Sequence, residues 1–557
     1  MSLTPRTAAQ VLVDQLIIHG VRHVFCVPGE SYLSVLDALI ERDITVTVCR
    51  QEGGAAMMAE AVGKATGQPG VCFVTRGPGA TNAAHGVHIA RQGSTPMILF
   101  AGQVDRSVRD RDAWQELDYR AVFGSMTKWT AEIDDPARMA EYVSRAFHVA
   151  IAGQPGPVVL ALPHDMLGET VSIADAAPYA TPEISPGAEE MAALAALLKA
   201  AKSPYVLLGG SRWSEEACRQ IARFAERFEL PVVTGFRRLP LFEALHPNYA
   251  GDLGLGANPK LVARLKAADL VLAIGARLSE VTTQSYGLFD IPEPQAKLVH
   301  VFPGAEELGR VWRATAAINA TPTRFAAALE ALNPPATPPW RGEIAAAHAD
   351  YLAWSQTPTP QPGPVNLSEI MIWLRENLPD DAILCNGAGN FSAWIHRFFR
   401  VRGYGSHFAP NSGSMGYGVP AAVAVQRLYP GRRVVAITGD GDFLMNGQEF
   451  ATAVQYDLPI VVLVFDNASY GTIRMHQERE FPGRVVATDL KNPDFAAYAR
   501  AFGGFGATVE RTADFAPAYE AAVASGQPAI LHVKFDKDGI TPSQTLSGIR
   551  AAALSNR

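Results

Sequence analysis

Five cysteines in 557 residues, with no CxxC pair among them, leave nothing from which to build a disulfide framework or a zinc site. Cys26, Cys49, Cys72, Cys218 and Cys385 read as buried free thiols. Long apolar runs are also missing. "PIVVLVF" (Pro459 to Phe465) is typical of the longest, far short of the roughly 20 residues that span a bilayer, so no membrane is expected. There is no Lys/Arg run either. With 48 basic against 55 acidic residues and a net charge of −7, nucleic acid is excluded as a partner. The first twenty residues lack a cationic start and carry Asp14 and Gln15 where a signal peptide would be apolar. They read as an amphipathic helix, and the expected location is the cytoplasm. Charged residues are only 18% against 48% hydrophobic, which excludes a disordered chain.

What is present is a repeated rhythm. "HVFCVPG", "TVTVCRQ", "GVCFVTRG" and "PMILFAG" are short apolar runs that end in Gly, Pro or polar residues, and most lead into helical patterns. The rhythm restarts at "PYVLLGG" and "AILCNGAG". Strands alternating with helices predict parallel sheets covered on both faces. Two Pro-rich stretches, Ala174 to Gly187 and Asn333 to Pro364 with a short helical piece inside it, read as linkers. The expectation is α/β, with three doubly wound domains at about 1–175, 187–333 and 364–540, and a tail over 541–557 that is a lid or a frayed end. The first and third domains share a rhythm.

The stretch "GDGDFLMNGQEFATAVQYDLPIVVLVFDN" (Gly439 to Asn467) follows the apolar run "RRVVAIT". It predicts strand, tight turn, helix, strand, so Asp440 and Asn467 fall at the carboxyl ends of adjacent parallel strands, where ligands bind in open α/β sheets. A carboxylate, an amide oxygen and a nearby carbonyl make a hard-oxygen set suited to Mg²⁺. Gly439 and Gly441 let backbone N–H groups approach a phosphate at a helix start. A lone Asp-Gly turn would be only structural. The paired spacing points to a Mg²⁺-diphosphate clamp.

This segment resembles the signature of thiamine diphosphate (ThDP) enzymes, which begins GDG and ends about two dozen residues later in NN. Here residues 442 to 465, 24 in all, separate Gly441 from Asp466, and Asp466 replaces the first Asn. The resemblance covers nearly the whole chain and is closest to acetolactate synthase and its relatives. It implies that Asp440, Asn467 and the Ser469 carbonyl hold Mg²⁺. Gly439, Gly441 and Asp442, with Tyr470 and Gly471, would face the cofactor. "NGAGN" resembles the diphosphate loop (Gly387, Ala388, Gly389, Asn390). In "NSGSMGYGVPAA", Gly413 would contact the pyrimidine and Met415 would wedge the cofactor into its bent shape. "RQEGGAAMMAEAVGKATGQPGVCFVTRGPGATNAAHG" (Arg50 to Gly86) is similar to the family's first block. There Glu52 matches the glutamate that exchanges a proton with the aminopyrimidine, beside Gly77 and Asn82, with Pro28 and Gly29 of "VPGES" nearby. Without the resemblance, Glu52 would read as an acid favoured by the helix dipole.

The resemblance further implies a 2-oxo acid substrate and a homodimer or homotetramer with active sites between subunits. "DAWQELD" is similar to the family's DAFQE, placing Gln115 beside the reacting carbon and Trp114 at a pocket position. Lys128 of "TKW" and Arg277 of "GAR" match substrate-side cations, although Arg277 reads equally as a surface or phosphate-binding arginine. His476 of "RMHQERE" lies near the acceptor pocket. Glu30 stands where simple decarboxylases carry a proton-donating acid, or it bonds within its turn. "VHVFPGAEELGR" lacks the acids of the family's "DIDP" segment by the flavin site, so FAD is doubtful. The expected activity is 2-oxo acid decarboxylation followed by carboligation. The alternatives are release of an aldehyde by simple decarboxylation and a silent regulatory paralogue. A nicotinamide dehydrogenase would want GxGxxG after a strand, and none is convincing.

Overall fold

The computed structural model describes residues 4–555. It contains three six-stranded sheets, all parallel, one within each of residues 1–175, 187–333 and 364–540. The chain gathers into two compact units, the second of which holds both the central and the third sheet. The first is Met1–Pro182 with Val423–Leu428 and Asn446–Tyr456. The second is Glu183–Ala422, Tyr429–Met445 and Asp457–Arg557.

Across the sheet of the first unit the strands are Thr45–Val48, His23–Cys26, Gly70–Val74, Met97–Gln103, Pro157–Pro163 and Trp129–Glu132. Counted along the chain the order is 2-1-3-4-6-5. Gly70–Val74, Met97–Gln103 and Pro157–Pro163 are buried at every position, as continuous apolar runs covered on both faces should be. Helices begin where the sequence caps them. The backbone N–H of Gln10 donates to the Thr7 hydroxyl, and the Gln10 side chain takes the Thr7 N–H in return. Helices Glu52–Thr66 and Pro78–Gly93 cross so closely that a Cβ on Gly86 would lie 2.4 Å from that of Ala56.

In the second unit the central sheet runs Tyr249–Leu253, Val232–Gly235, Pro204–Leu208, Leu270–Ile274, Lys297–Phe302, Ala316–Asn319, the 3-2-1-4-5-6 order of nucleotide-binding folds. The other sheet runs His407–Phe408, Ile383–Asn386, Val434–Gly439, Val461–Asp466, Ala529–Lys534, Phe505–Val509, again 2-1-3-4-6-5. The shared rhythm of the first and third domains thus corresponds to a shared strand order. The helical piece inside the Pro-rich linker is a full helix, Glu343–Ser355. It docks on the central sheet, with Tyr351 edge-on to Tyr249 at 4.9 Å and Arg264 pairing with Glu343 and Asp350.

In each 2-1-3-4-6-5 sheet the strand order reverses between the first and third strands. The loops at their carboxyl ends flank a crevice that side chains can share. No helix among the described residues is long and apolar enough to cross a membrane.

Candidate active site

In the second unit, strand Val434–Gly439 delivers Asp440 to the first turn of the helix Asp440–Asn446, at this switch point. Asp440 is buried, and its Oδ2 accepts the Ser469 backbone N–H at 3.2 Å and the Asn492 amide at 2.7 Å. The same Asn492 nitrogen donates to Asp466 Oδ1 at 2.8 Å. Burial, with Asp466 close by, pushes Asp440 up to about 6. Asp466 goes the other way. Burial would raise it, but the imidazole of His532 at 2.7 Å and the N–H of Ala468 at 2.8 Å hold it below the ordinary carboxylate range. The acid that replaces the family's first Asn is therefore spent on internal partners.

These groups open onto a cavity of about 660 Å³. Asp440, Asn467 and Ser469 line one wall together with Gly439, Gly441 and Gly471. The Ser469 carbonyl accepts the Gly471 N–H at 2.8 Å and keeps a second lone pair. No group of three or more His, Cys, Asp or Glu among the described residues could hold a metal ion. The donor set here is of another kind: one carboxylate, one amide oxygen and one carbonyl, the hard oxygens that Mg²⁺ takes alongside phosphate and water. A buried carboxylate with no cation beside it suits such an ion.

Asp442 lines the same cavity and also holds the neighbouring turn. Its Oδ1 accepts the N–H groups of Ala388 at 3.1 Å and Gly416 at 2.7 Å, and its Oδ2 accepts the Thr438 hydroxyl at 2.5 Å. It braces the Gly387–Gly389 turn from the cavity wall, and burial pushes it up to about 6. Gly387 must be glycine here, because a Cβ would sit 2.0 Å from Asp442 Oδ2. Ala388, Gly389 and Asn390 line the cavity, as do Gly413 and Met415, and Tyr470 and the exposed His476 complete this side.

Three features escaped sequence reasoning. Arg237, from the central sheet, is buried at a left-handed φ of 58° and donates to the carbonyls of Gly387 at 3.0 Å and Pro410. Burial lowers it to about 10, with Asp442 opposing. Nothing in "GFRRLP" marks it. Trp354, from the linker helix, stacks on Arg397 at 3.6 Å on the cavity wall. The tail from Gly539 to Gln544 forms another wall, and Ile540, Leu546 and Ile549 pack with Met475. The part of the tail that is described is docked, not frayed.

Arg277 does not line this cavity. It lies near Glu307, at 3.6 Å, which also pairs with Arg310 at 3.2 Å.

In the first unit, Glu52 opens the helix Glu52–Thr66, and its Oε2 accepts the amide of Asn82 at 2.9 Å. The turn before it is clamped by a residue the sequence reading passed over. Glu449 is fully buried and accepts the N–H groups of Arg50 at 3.0 Å and Gln51 at 2.9 Å, and the Thr452 hydroxyl at 2.6 Å. Gly77, with φ at 35°, lies against the backbone of Gln115, where a Cβ would come within 2.7 Å of the carbonyl. Tyr119 ties the same turn to the sheet by accepting the Gly77 N–H at 3.2 Å and donating to the Gly102 carbonyl at 2.7 Å. Pro28 is exposed, and Gly29 presses on Thr75, where a Cβ would lie 2.5 Å away. Glu30 pairs with Arg76, and exposed Trp114 lies beside that arginine.

Lys128 stands away from the site expected for it. It precedes strand Trp129–Glu132, its Nζ donates to the Ala152 carbonyl, and its backbone N–H donates to the Pro157 carbonyl at the start of the neighbouring strand. That is the amino edge of a parallel sheet, opposite the edge that carries Glu52.

Comparison with known proteins places the chain in a family. Three family models match: "Thiamine pyrophosphate enzyme, N-terminal TPP binding domain" over residues 6–122, the "central domain" over 191–332, and the "C-terminal TPP binding domain" over 387–533. The chain is 32% identical over 515 residues to an acetolactate synthase large subunit of Parasynechococcus marenigrum, covering 89% of this chain and 82% of that one. It is 30% identical over 547 residues to an acetolactate synthase of Bacillus subtilis, covering 96% and 94%. It is 31% identical over 543 residues to the acetolactate synthase isozyme 2 large subunit of Escherichia coli, covering 95% of each.

Proposed function

Because the chain belongs to the thiamine pyrophosphate enzyme family, in its acetolactate synthase-like branch, we propose that it decarboxylates a 2-oxo acid with ThDP and Mg²⁺ and joins the remaining fragment to a second carbonyl compound. The observation that carries this reading is the convergence of Asp440, Asn467 and Ser469 on one cavity wall behind a glycine turn.

ThDP, when bound, supplies a carbon nucleophile and a sink for the electrons left by CO₂. The chain's own residues hold and orient it. Asp440, Asn467 and the Ser469 carbonyl would take Mg²⁺, and Gly439, Gly441 and the Gly387–Asn390 loop would take the diphosphate. Gly413 and Met415 would support the ring portion. Asn82 fixes one oxygen of Glu52 and leaves the other to hold or release a proton. Gln115, held on the loop against Gly77, would face the reacting carbon.

Ligation is favoured over simple decarboxylation because the relatives that match along most of the chain are acetolactate synthases. Retention of Glu52, Asp440 and Asn467 argues against a silent paralogue. A homodimer or homotetramer with active sites between subunits completes the proposal.

The test is incubation of the purified chain with ThDP, Mg²⁺ and pyruvate, then with a panel of larger 2-oxo acids, following CO₂ and products by NMR. An acetohydroxy acid is expected. Aldehyde alone would replace ligation by simple decarboxylation. No CO₂ from any 2-oxo acid would overturn the reading.

A further inference from the structure

The switch point of the first sheet lies between strands His23–Cys26 and Gly70–Val74. Their loops are pressed together: Gly29 abuts Thr75, and the hydroxyls of Ser31 and Thr75 are 2.9 Å apart. The loops carry an ion pair, Glu30 with Arg76. The Arg76 side chain is only 16% exposed, Glu30 is 61% exposed, and the Trp114 ring centroid lies 5.9 Å from the guanidinium carbon, with that tryptophan 76% exposed. The N–H of Gly79 donates to the Arg76 carbonyl at 3.1 Å, and a Cβ on Gly79 would lie 3.2 Å from Glu52 Oε1. The arginine therefore belongs to the same turn that closes on the expected proton-exchanging acid.

An anionic substrate needs a cation at that edge, and Lys128 lies at the opposite one. Arg76 is suited to the task. A guanidinium has five donors in a planar fork that matches a carboxylate, while Glu30 engages one terminal nitrogen and the Nε has no hydrogen-bond partner. An exposed carboxylate contributes little to holding its partner and is readily displaced. A large aromatic ring left in the open beside a cation offers an apolar face to the body of the same ligand.

We propose that Arg76 is the substrate-binding residue that receives the carboxylate of the 2-oxo acid, with Glu30 as its resident counter-ion and Trp114 as the wall for the substrate's side chain. This rests on the function proposed above.

The experiment uses the full chain with ThDP and Mg²⁺. Arg76→Gln is expected to raise KM for pyruvate, or for the best 2-oxo acid of the panel, by about 10- to 100-fold. Arg76→Lys should recover part of the loss, and ThDP affinity measured by titration should stay at the wild-type value. Methyl pyruvate, which has no carboxylate, should not distinguish the variants in binding. Glu30→Gln should lower KM for the acid by freeing Arg76. An unchanged KM for the acid in Arg76→Gln, or equal losses for acid and ester, overturns the assignment. If the wild type decarboxylates no 2-oxo acid, the function fails, and Arg76 is then judged by binding. Quenching of tryptophan fluorescence by pyruvate that is lost in both Arg76→Gln and Trp114→Phe keeps the assignment. Absence of quenching in the wild type, or quenching unaffected by Arg76→Gln, removes it.

Discussion

The carboxylate of Glu449 accepts the backbone N–H of Gln51 at 2.9 Å, one residue before Glu52. A buried acid thus holds the turn that aims the expected proton-exchanging acid. The contact is tight enough that a Cβ on Gly54 would lie 2.7 Å from Glu449 Oε1. Glu449→Ala would leave two backbone donors without their acceptor, at a cost of roughly 1–3 kcal/mol each. Urea unfolding is expected to show that loss, with a smaller one for Glu449→Gln. A change within about 0.5 kcal/mol would mean that the clamp is not needed to hold the turn.

Glu52→Gln keeps an acceptor for Asn82 and removes the exchangeable proton. Turnover is expected to fall about 10²- to 10⁴-fold with unfolding unchanged. Near-normal turnover would take Glu52 out of the chemistry.

Gly387→Ala would force Asp442 away from Ala388 and Gly416. Overpacking of this kind costs about 1–3 kcal/mol. ThDP affinity should fall at least tenfold, read by calorimetry. Retention of full affinity would show that the Gly387–Asn390 loop is not part of the cofactor's seat.

The tail is held electrostatically as well as by packing. Glu478 accepts Arg550 from the helix Leu546–Ser555, the N–H of Gly483 and Arg474 from its own helix, and these partners hold it down at about 2, Arg550 foremost. A carboxyl lowered on folding stabilises above its unfolded pKa of roughly 4.3, and that contribution is lost as pH falls toward 2. Hydrogen exchange of the tail should therefore be slower in the wild type than in Arg550→Ala at pH 7, with the gap closing between pH 4 and 2. A gap independent of pH would mean that Ile540, Leu546 and Ile549 alone hold the tail.

Much of this was legible in the sequence, and what was not has a physical pattern. Asp440 and Asn467 could be placed because a strand-turn-helix-strand unit fixes which edge each residue reaches. The same rule, applied to Lys128, would have put it at the amino edge, since "TKW" precedes its strand. Asp442 and Asp440 are indistinguishable in "GDGD". Both line the cavity, and only the packing of Ala388 and Gly416 shows that Asp442 also braces the glycine turn. Arg237, Trp354 and Glu449 acquire their roles from segments far away along the chain, and no local pattern announces them. The 3-2-1-4-5-6 order of the central sheet likewise depends on strand pairing that one sequence does not display.

The central claim is that Asp440, Asn467 and the Ser469 carbonyl seat Mg²⁺ and, through it, the diphosphate of ThDP. The direct measurement is calorimetric titration of ThDP into wild-type protein and into Asp440→Ala, each with Mg²⁺ and with EDTA. The expected result is tight binding by the wild type with Mg²⁺ only, and weak binding by Asp440→Ala under both conditions. Equal affinity in all four titrations would contradict the account.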